Sequence, residues 1–124
     1  MSDPAMGVLL VEDNHEVREG LARVLRRSGF EVATAENGLE ALAKLEGGQF
    51  RAVISDIMMP VMDGIRLYQL LEIRHPQVTK HVMFVSAWFD DPEVQAFLAR
   101  TGRPILRKPF EIPEFIRAVE EVAA

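Results

Sequence analysis

Two apolar patterns alternate along the chain. Gly7 to Val11 (GVLLV) is a continuous apolar run, too short for a core helix and aliphatic enough for a strand buried on both faces. Charge ends it at Glu12 and Asp13. From His15 to Ser28 the apolar residues Val17, Leu21, Val24 and Leu25 recur at three- and four-residue spacing, with arginines and glutamates between them, and predict an amphipathic helix. Gly29 stops that helix, and Phe30 to Ala35 (FEVATA) alternates as a short strand does. The cycle then repeats. Asn37 to Glu46 predicts a second helix with Leu39, Leu42 and Leu45 on its apolar face, ended by Gly47 and Gly48. Phe50 to Ser55 reads as the third strand, and a loop with Met59, Pro60, Met62, Asp63 and Gly64 leads to a third helix, Ile65 to Arg74, stopped before Pro76. His81 to Ser86, Pro92 to Arg100, Pro104 to Arg107 and Pro113 to Val122 continue as strand, helix, strand and helix, the last turning Phe115, Ile116, Val119 and Val122 inward.

Strands that alternate with helices through short loops call for parallel pairing, because a parallel pair needs a crossover between its members. The fold class is therefore doubly wound α/β, a five-stranded parallel sheet with helices on both faces. Ligands of such sheets bind beyond the carboxyl ends of the strands. Here those ends carry Glu12 and Asp13 after the first strand, Asp56 after the third, Ser86 and Ala87 after the fourth, and Lys108 and Pro109 after the fifth.

Three carboxylates brought together repel one another, and the remedies are protonation or a hard cation with oxygen ligands. Magnesium suits the set, since it takes one or two protein carboxylates and keeps positions for water and phosphate oxygens. Lys108 adds a point charge able to pair with a carboxylate or a phosphoryl oxygen, and Ser86 adds a hydroxyl. An aspartate beside a metal can act as a nucleophile toward phosphorus. Asp56 stands alone at its strand end and is the best nucleophile, while the adjacent Glu12 and Asp13 suit a metal. Taken singly these residues have plainer uses, since Asp13 or Asn14 could cap the first helix and an isolated lysine is usually a solvated one. His15, His75 and His81 share no metal-ligand spacing and read as surface or cap residues.

Composition narrows the classes further. The 124 residues form one domain's length of chain, with a net charge of −5 that argues against sequence-independent nucleic-acid binding. Without cysteine there is no disulfide, thiolate metal site or thiol nucleophile, which suits a reducing cytoplasm. No apolar run approaches the roughly 18 residues of a membrane span, and the start (MSDPAM) lacks the features of a secretory signal, so a soluble cytoplasmic protein is expected. Residues 1–6 read as a flexible lead-in and 7–124 as the domain.

The motifs LLVEDN (Leu9 to Asn14), VISDIMMPVMDG (Val53 to Gly64), FVSA (Phe84 to Ala87) and LRKPF (Leu106 to Phe110) together resemble the receiver domain of two-component response regulators, over Gly7 to Ala124. The resemblance implies a flavodoxin-like fold with strand order 2-1-3-4-5. It implies that Asp56 accepts a phosphoryl group from a histidine kinase or a phosphotransfer protein, and that Glu12, Asp13, Asp56 and the backbone carbonyl of Met58 hold magnesium. It further implies a switch hydroxyl at Ser86 with the small Ala87 beside it, a charge-compensating Lys108, and a cis bond to Pro109. In the family an aromatic residue often stands three positions before the lysine; here Ile105 stands there, so the aromatic half of the usual switch is missing. Met58 and Trp88 stand at positions that in the family influence the lifetime of the phosphoryl group, so the resemblance implies that bulky apolar groups there would lengthen it. Stretches such as PILRKPF look like receivers of hybrid kinases or of stand-alone regulators. The expected output is a change of partner binding rather than turnover of an external substrate, with no direct nucleic-acid contact and no membrane insertion. A small magnesium-dependent phosphatase and a constitutive, non-phosphorylated receiver are the rival readings; the first lacks a cap or substrate pocket, and the second would have lost the residues retained here.

Overall fold

In the structure, a computed structural model that describes residues 7–124, three central strands are buried along their whole length: β1 (Gly7–Val11), β3 (Ala52–Asp56) and β4 (Val82–Ser86). The lead-in expected at residues 1–6 lies outside the described residues. β2 (Glu31–Ala35) and β5 (Ile105–Arg107) complete a parallel sheet of order β2-β1-β3-β4-β5, as the receiver resemblance implies. Alternate side chains of the central strands serve two cores, because successive residues of a strand point to opposite faces. Leu9, Val53 and Phe84 face α2 (Gly38–Gly47), α3 (Gly64–Arg74) and α4 (Pro92–Thr101). Leu10, Ile54 and Val85 face α1 (His15–Arg27) and α5 (Ile112–Ala123). On the first face Tyr68, Phe84 and Phe97 meet edge to face with ring centroids 5.4–6.1 Å apart, which seats α4 on the sheet.

The helices α1 to α4 begin where the sequence supplies a side-chain acceptor for their free N–H groups, whereas α5 opens with Pro113 in its first turn. Asn14 caps α1 by accepting from Val17 N–H at 2.9 Å, Asn37 caps α2, Asp63 caps α3 and Asp91 caps α4. Of the two residues open for the first cap, Asn14 takes it, which leaves the Asp13 carboxylate for other work.

Three local expectations differ from the structure. Residues 76–81 form a 3-10 helix, so β4 starts at Val82 and not His81; Pro76 breaks α3 but its fixed φ also opens a new turn. β3 starts at Ala52, with Phe50 half-buried in the preceding loop against the core. Leu39 is 54% exposed, because Gly38, Ala41, Leu42 and Leu45 form the buried face of α2 and Leu39 lies a quarter-turn away.

Gly64, the first residue of α3, is pressed against the end of β3. A Cβ there would stand 2.4 Å from Asp56 O and 3.1 Å from Ile57 Cα, and Gly64 N–H donates to Ile57 O at 2.8 Å. Backbone cannot swing aside as a side chain can. Gly64→Ala is therefore expected to lower unfolding stability by about 1–3 kcal/mol in urea denaturation. Gly20, mid-helix in α1 with nothing within 4 Å of a built Cβ, is the control: Gly20→Ala is expected to raise stability by roughly 0.5–1 kcal/mol.

Candidate functional site

The carboxyl ends of β1, β3, β4 and β5 converge, as the parallel order requires. Glu12 directly follows β1, and its side chain is almost fully buried. Asp56 closes β3 and is buried too, while Asp13 is exposed. One carboxylate oxygen from each of Glu12, Asp13 and Asp56 lies within 4.8 Å of the others. Two buried carboxylates at that distance need a counter-charge, and Lys108 brings it across the sheet from the segment after β5. Its Nζ donates to Glu12 Oε1 at 2.7 Å and to Asp56 Oδ2 at 2.6 Å. Burial alone would push the Lys108 ammonium down, but its hydrogen bonds to Asp56 and Glu12, with their charges, outweigh burial and hold its pKa above the ordinary lysine value.

Backbone donors complete the carboxylate shells. Met58 N–H donates to Asp56 Oδ1 and Asn14 N–H to Glu12 Oε2, each at 3.3 Å. Arg18 Nη1 donates to Glu12 O at 2.9 Å, fixing the turn between β1 and α1. Ser86, fully buried at the end of β4, accepts from Trp88 N–H at 2.9 Å, and Lys108 N–H donates to Ser86 O at 3.0 Å. Ser86 thus sits on the element that also positions Lys108. The Lys108–Pro109 bond is cis.

The structure accordingly brings together Glu12, Asp13, Asp56 and Lys108, with Met58 and Ser86 on their rim. Ala87 and Trp88 are exposed beside Ser86, the indole at 59%. Ile105 is half-buried, paired in register with Phe84 and packed on the α3–α4 side of the sheet. Val17, Ala87, Lys108, Pro109 and Phe110 line an open, mostly apolar groove of about 380 Å³ next to the site. The Arg18 side chain and the backbone N–H groups of Asn14 and Trp88 give no sign of these contacts in the sequence. An arginine on a helix's polar face gives no sign that it reaches back to a carbonyl, and backbone donors carry no side-chain signature. His15, His75 and His81 stay apart from this cluster: His75 ends α3, and His81 Nδ1 lies 2.8 Å from Val122 O.

The loop that carries Met58 turns tightly. Val61 has φ 69°, and Met62 N–H donates to Pro60 O at 2.8 Å, a three-residue turn in a region that β-branched residues rarely occupy. Gly38 backs this turn, its N–H donating to Met62 O at 2.9 Å where a Cβ would meet that oxygen at 2.7 Å.

A family model for the response regulator receiver domain matches residues 8–120. The chain belongs to that family. Its receiver relatives include the sensor kinase CckA of Brucella abortus, 38% identical over 117 residues, which cover 93% of this chain and 12% of the kinase. The response regulator receiver protein Anae109_2439 of Anaeromyxobacter is 36% identical over 108 residues, covering 87% of this chain and 44% of that protein. The chain thus spans less than half the length of these relatives. Among solved structures, the response regulator TrrA of Thermotoga maritima, in complex with magnesium and beryllofluoride, superposes with a TM-score of 0.80 at 28% identity, over 93% of this chain and 96% of that one. This receiver domain therefore pairs a family fold with an acidic cluster whose donors, all hard oxygens, suit a magnesium ion. Among the described residues no helix is long and apolar enough to cross a membrane.

Partial desolvation, then the hydrogen bond and charge of Glu12, raise the pKa of Asp13 from its ordinary value, against smaller opposing pulls from a backbone hydrogen bond and from Lys108. The folded protein thus holds that proton more tightly than the unfolded chain does. Ionised Asp13 is a cost at neutral pH that disappears below the unfolded-state value of about 4. In chelator, Asp13→Asn is expected to raise the unfolding free energy at pH 7, by no more than about 1 kcal/mol because water screens this exposed group, and to lose that advantage as the pH falls toward 4.

Proposed function

We propose that this receiver domain accepts a phosphoryl group on Asp56 from the phosphohistidine of a kinase or a phosphotransfer protein, with magnesium, and that the phosphorylated form binds a partner differently. The observation that carries the reading is the Lys108 ammonium shared between Asp56 and Glu12 at the carboxyl ends of the sheet. In the transfer, an Asp56 carboxylate oxygen attacks phosphorus, the bond from phosphorus to the histidine nitrogen breaks, and the imidazole leaves with the electron pair. Glu12, Asp13, Asp56 and the Met58 carbonyl would hold the ion, which supplies charge neutralisation at the phosphoryl oxygens. Lys108 supports the same charge from the other side and keeps Asp56 oriented through Oδ2.

Phosphorylation adds about −1.5 to −2 charges and new acceptor oxygens at one point. Ser86 is placed to respond, since its hydroxyl lies at the strand end beside the site and its oxygen holds the Trp88 N–H. Drawing that hydroxyl toward a phosphoryl oxygen would release the Trp88 segment, which biases a loop between two arrangements. With Ile105 in place of an aromatic ring, the message would leave through that loop. The apolar groove beside Lys108 would receive the side chains of the phosphodonor protein. The domain acts on itself and on protein partners, in the cytoplasm, without touching nucleic acid, and residues 7–124 carry the receiver domain.

Two experiments check this. Intact mass after incubation with acetyl phosphate and magnesium is expected to show one added phosphoryl group, absent in Asp56→Asn and in chelator; no addition to the wild-type chain would contradict the assignment. Met58 and Trp88, exposed on the two sides of the site at 46% and 59%, would shield the aspartyl phosphate from water. Met58→Asn and Trp88→Ala are expected to hydrolyse it several times faster, measured as loss of the added mass once donor is removed, and an unchanged rate would sink that role.

A further inference from the structure

β2 is one edge of the sheet, and its sequence does nothing to blunt that edge. Glu31–Ala35 runs in unbroken register with β1 over five residue pairs, holds no proline, and its last four residues (VATA) carry no charge. The other edge, β5, is only three residues long. Short edges protect themselves, whereas a longer regular one offers a row of unpaired backbone groups to another chain.

The backbone groups of β2 divide by alternation. Ala35 O faces β1 and accepts Glu12 N–H at 3.0 Å, so the groups of Val32 and Thr34 point away from the sheet. Both outward carbonyls are occupied by cations. Arg26 Nη2, from the last turn of α1, donates to Val32 O at 3.2 Å, and Lys44 Nζ, from α2, donates to Thr34 O. α1 and α2 pack on opposite faces, so the two side chains wrap the edge from both sides.

We propose that Arg26 and Lys44 prevent this chain from pairing edge to edge through β2 with a second copy of itself. A two-fold pairing of identical edges sets the same surface against itself, so each copy's Arg26 and Lys44 would meet their equivalents across the seam. Each outward carbonyl would also have to release its cation before it could accept an N–H from the other copy. Glu40, 3.8 Å from Lys44, offsets part of its charge but leaves the carbonyl occupied. The guard lies on the sheet edge remote from β5, so it would act whether or not Asp56 is phosphorylated.

The test compares the full chain with the double variant Arg26→Met/Lys44→Met, which keeps the alkyl stems and removes the donors and charges. Sedimentation velocity over a range of concentrations, without phosphodonor, is expected to show self-association strengthened on the order of tenfold or more over the wild-type chain. Adding Thr34→Pro, which deletes the outward N–H at an edge position where proline is tolerated, is expected to restore the wild-type behaviour. No strengthening in a double variant that circular dichroism shows to be folded, or a strengthening that Thr34→Pro leaves in place, overturns the proposal. Should the double variant not fold, Lys44→Met alone carries the same comparison with a smaller change in the same direction.

Discussion

One ammonium group, that of Lys108, joins buried carboxylates from two different strands, at 2.7 Å from Glu12 and 2.6 Å from Asp56. Removing two acids from water costs several kcal/mol each unless they are paired and hydrogen-bonded. The lysine reaches them because β5 is added to the sheet beside β4, which places the end of the fifth strand next to the end of the fourth. Strand order thus decides which charges meet. The site remains over-supplied with negative charge, since Asp13 adds a third carboxylate that Lys108 only partly offsets. That surplus suits a divalent cation, and without one it is a cost to the folded protein.

The surrounding packing keeps this balance in place. Gly64 lets α3 start directly against Asp56 O, and the Val61 turn, backed by Gly38, holds the loop that carries Met58 over the site. Ser86 is tied to Lys108 by one backbone hydrogen bond and to Trp88 through its hydroxyl oxygen. Under the proposed function, a change of charge at Asp56 would act on this strand end and on the Trp88 segment together. Ile105 packs against the core on the α3–α4 side of the sheet, and the exposed Trp88 is tied to the site through Ser86.

Much of this was legible in the residues. The all-apolar runs of β1, β3 and β4 and the charged or hydroxyl residue after each one revealed both the parallel sheet and the convergence of Glu12, Asp13, Asp56, Ser86 and Lys108. The misses have physical reasons. A proline reads as a stop, so the pattern gives no sign of the 3-10 helix that opens at Pro76 and counts His81 with the strand. Leu39 counts as apolar in any pattern, yet its place on the helix turns it outward. The reach of Arg18 to Glu12 O, and of Arg26 and Lys44 to the carbonyls of β2, depends on long flexible side chains whose partners are backbone atoms, and backbone partners leave no trace in a sequence.

The central claim is that three carboxylates and one lysine leave a charge deficit that a divalent cation fills. Thermal unfolding of the wild-type chain and of Asp13→Asn, followed as magnesium is titrated in, tests it most directly. The account predicts a saturable rise in Tm for the wild-type chain and a rise at least several-fold weaker in magnesium dependence for Asp13→Asn. An equal rise in both, or none in the wild-type chain, would contradict it.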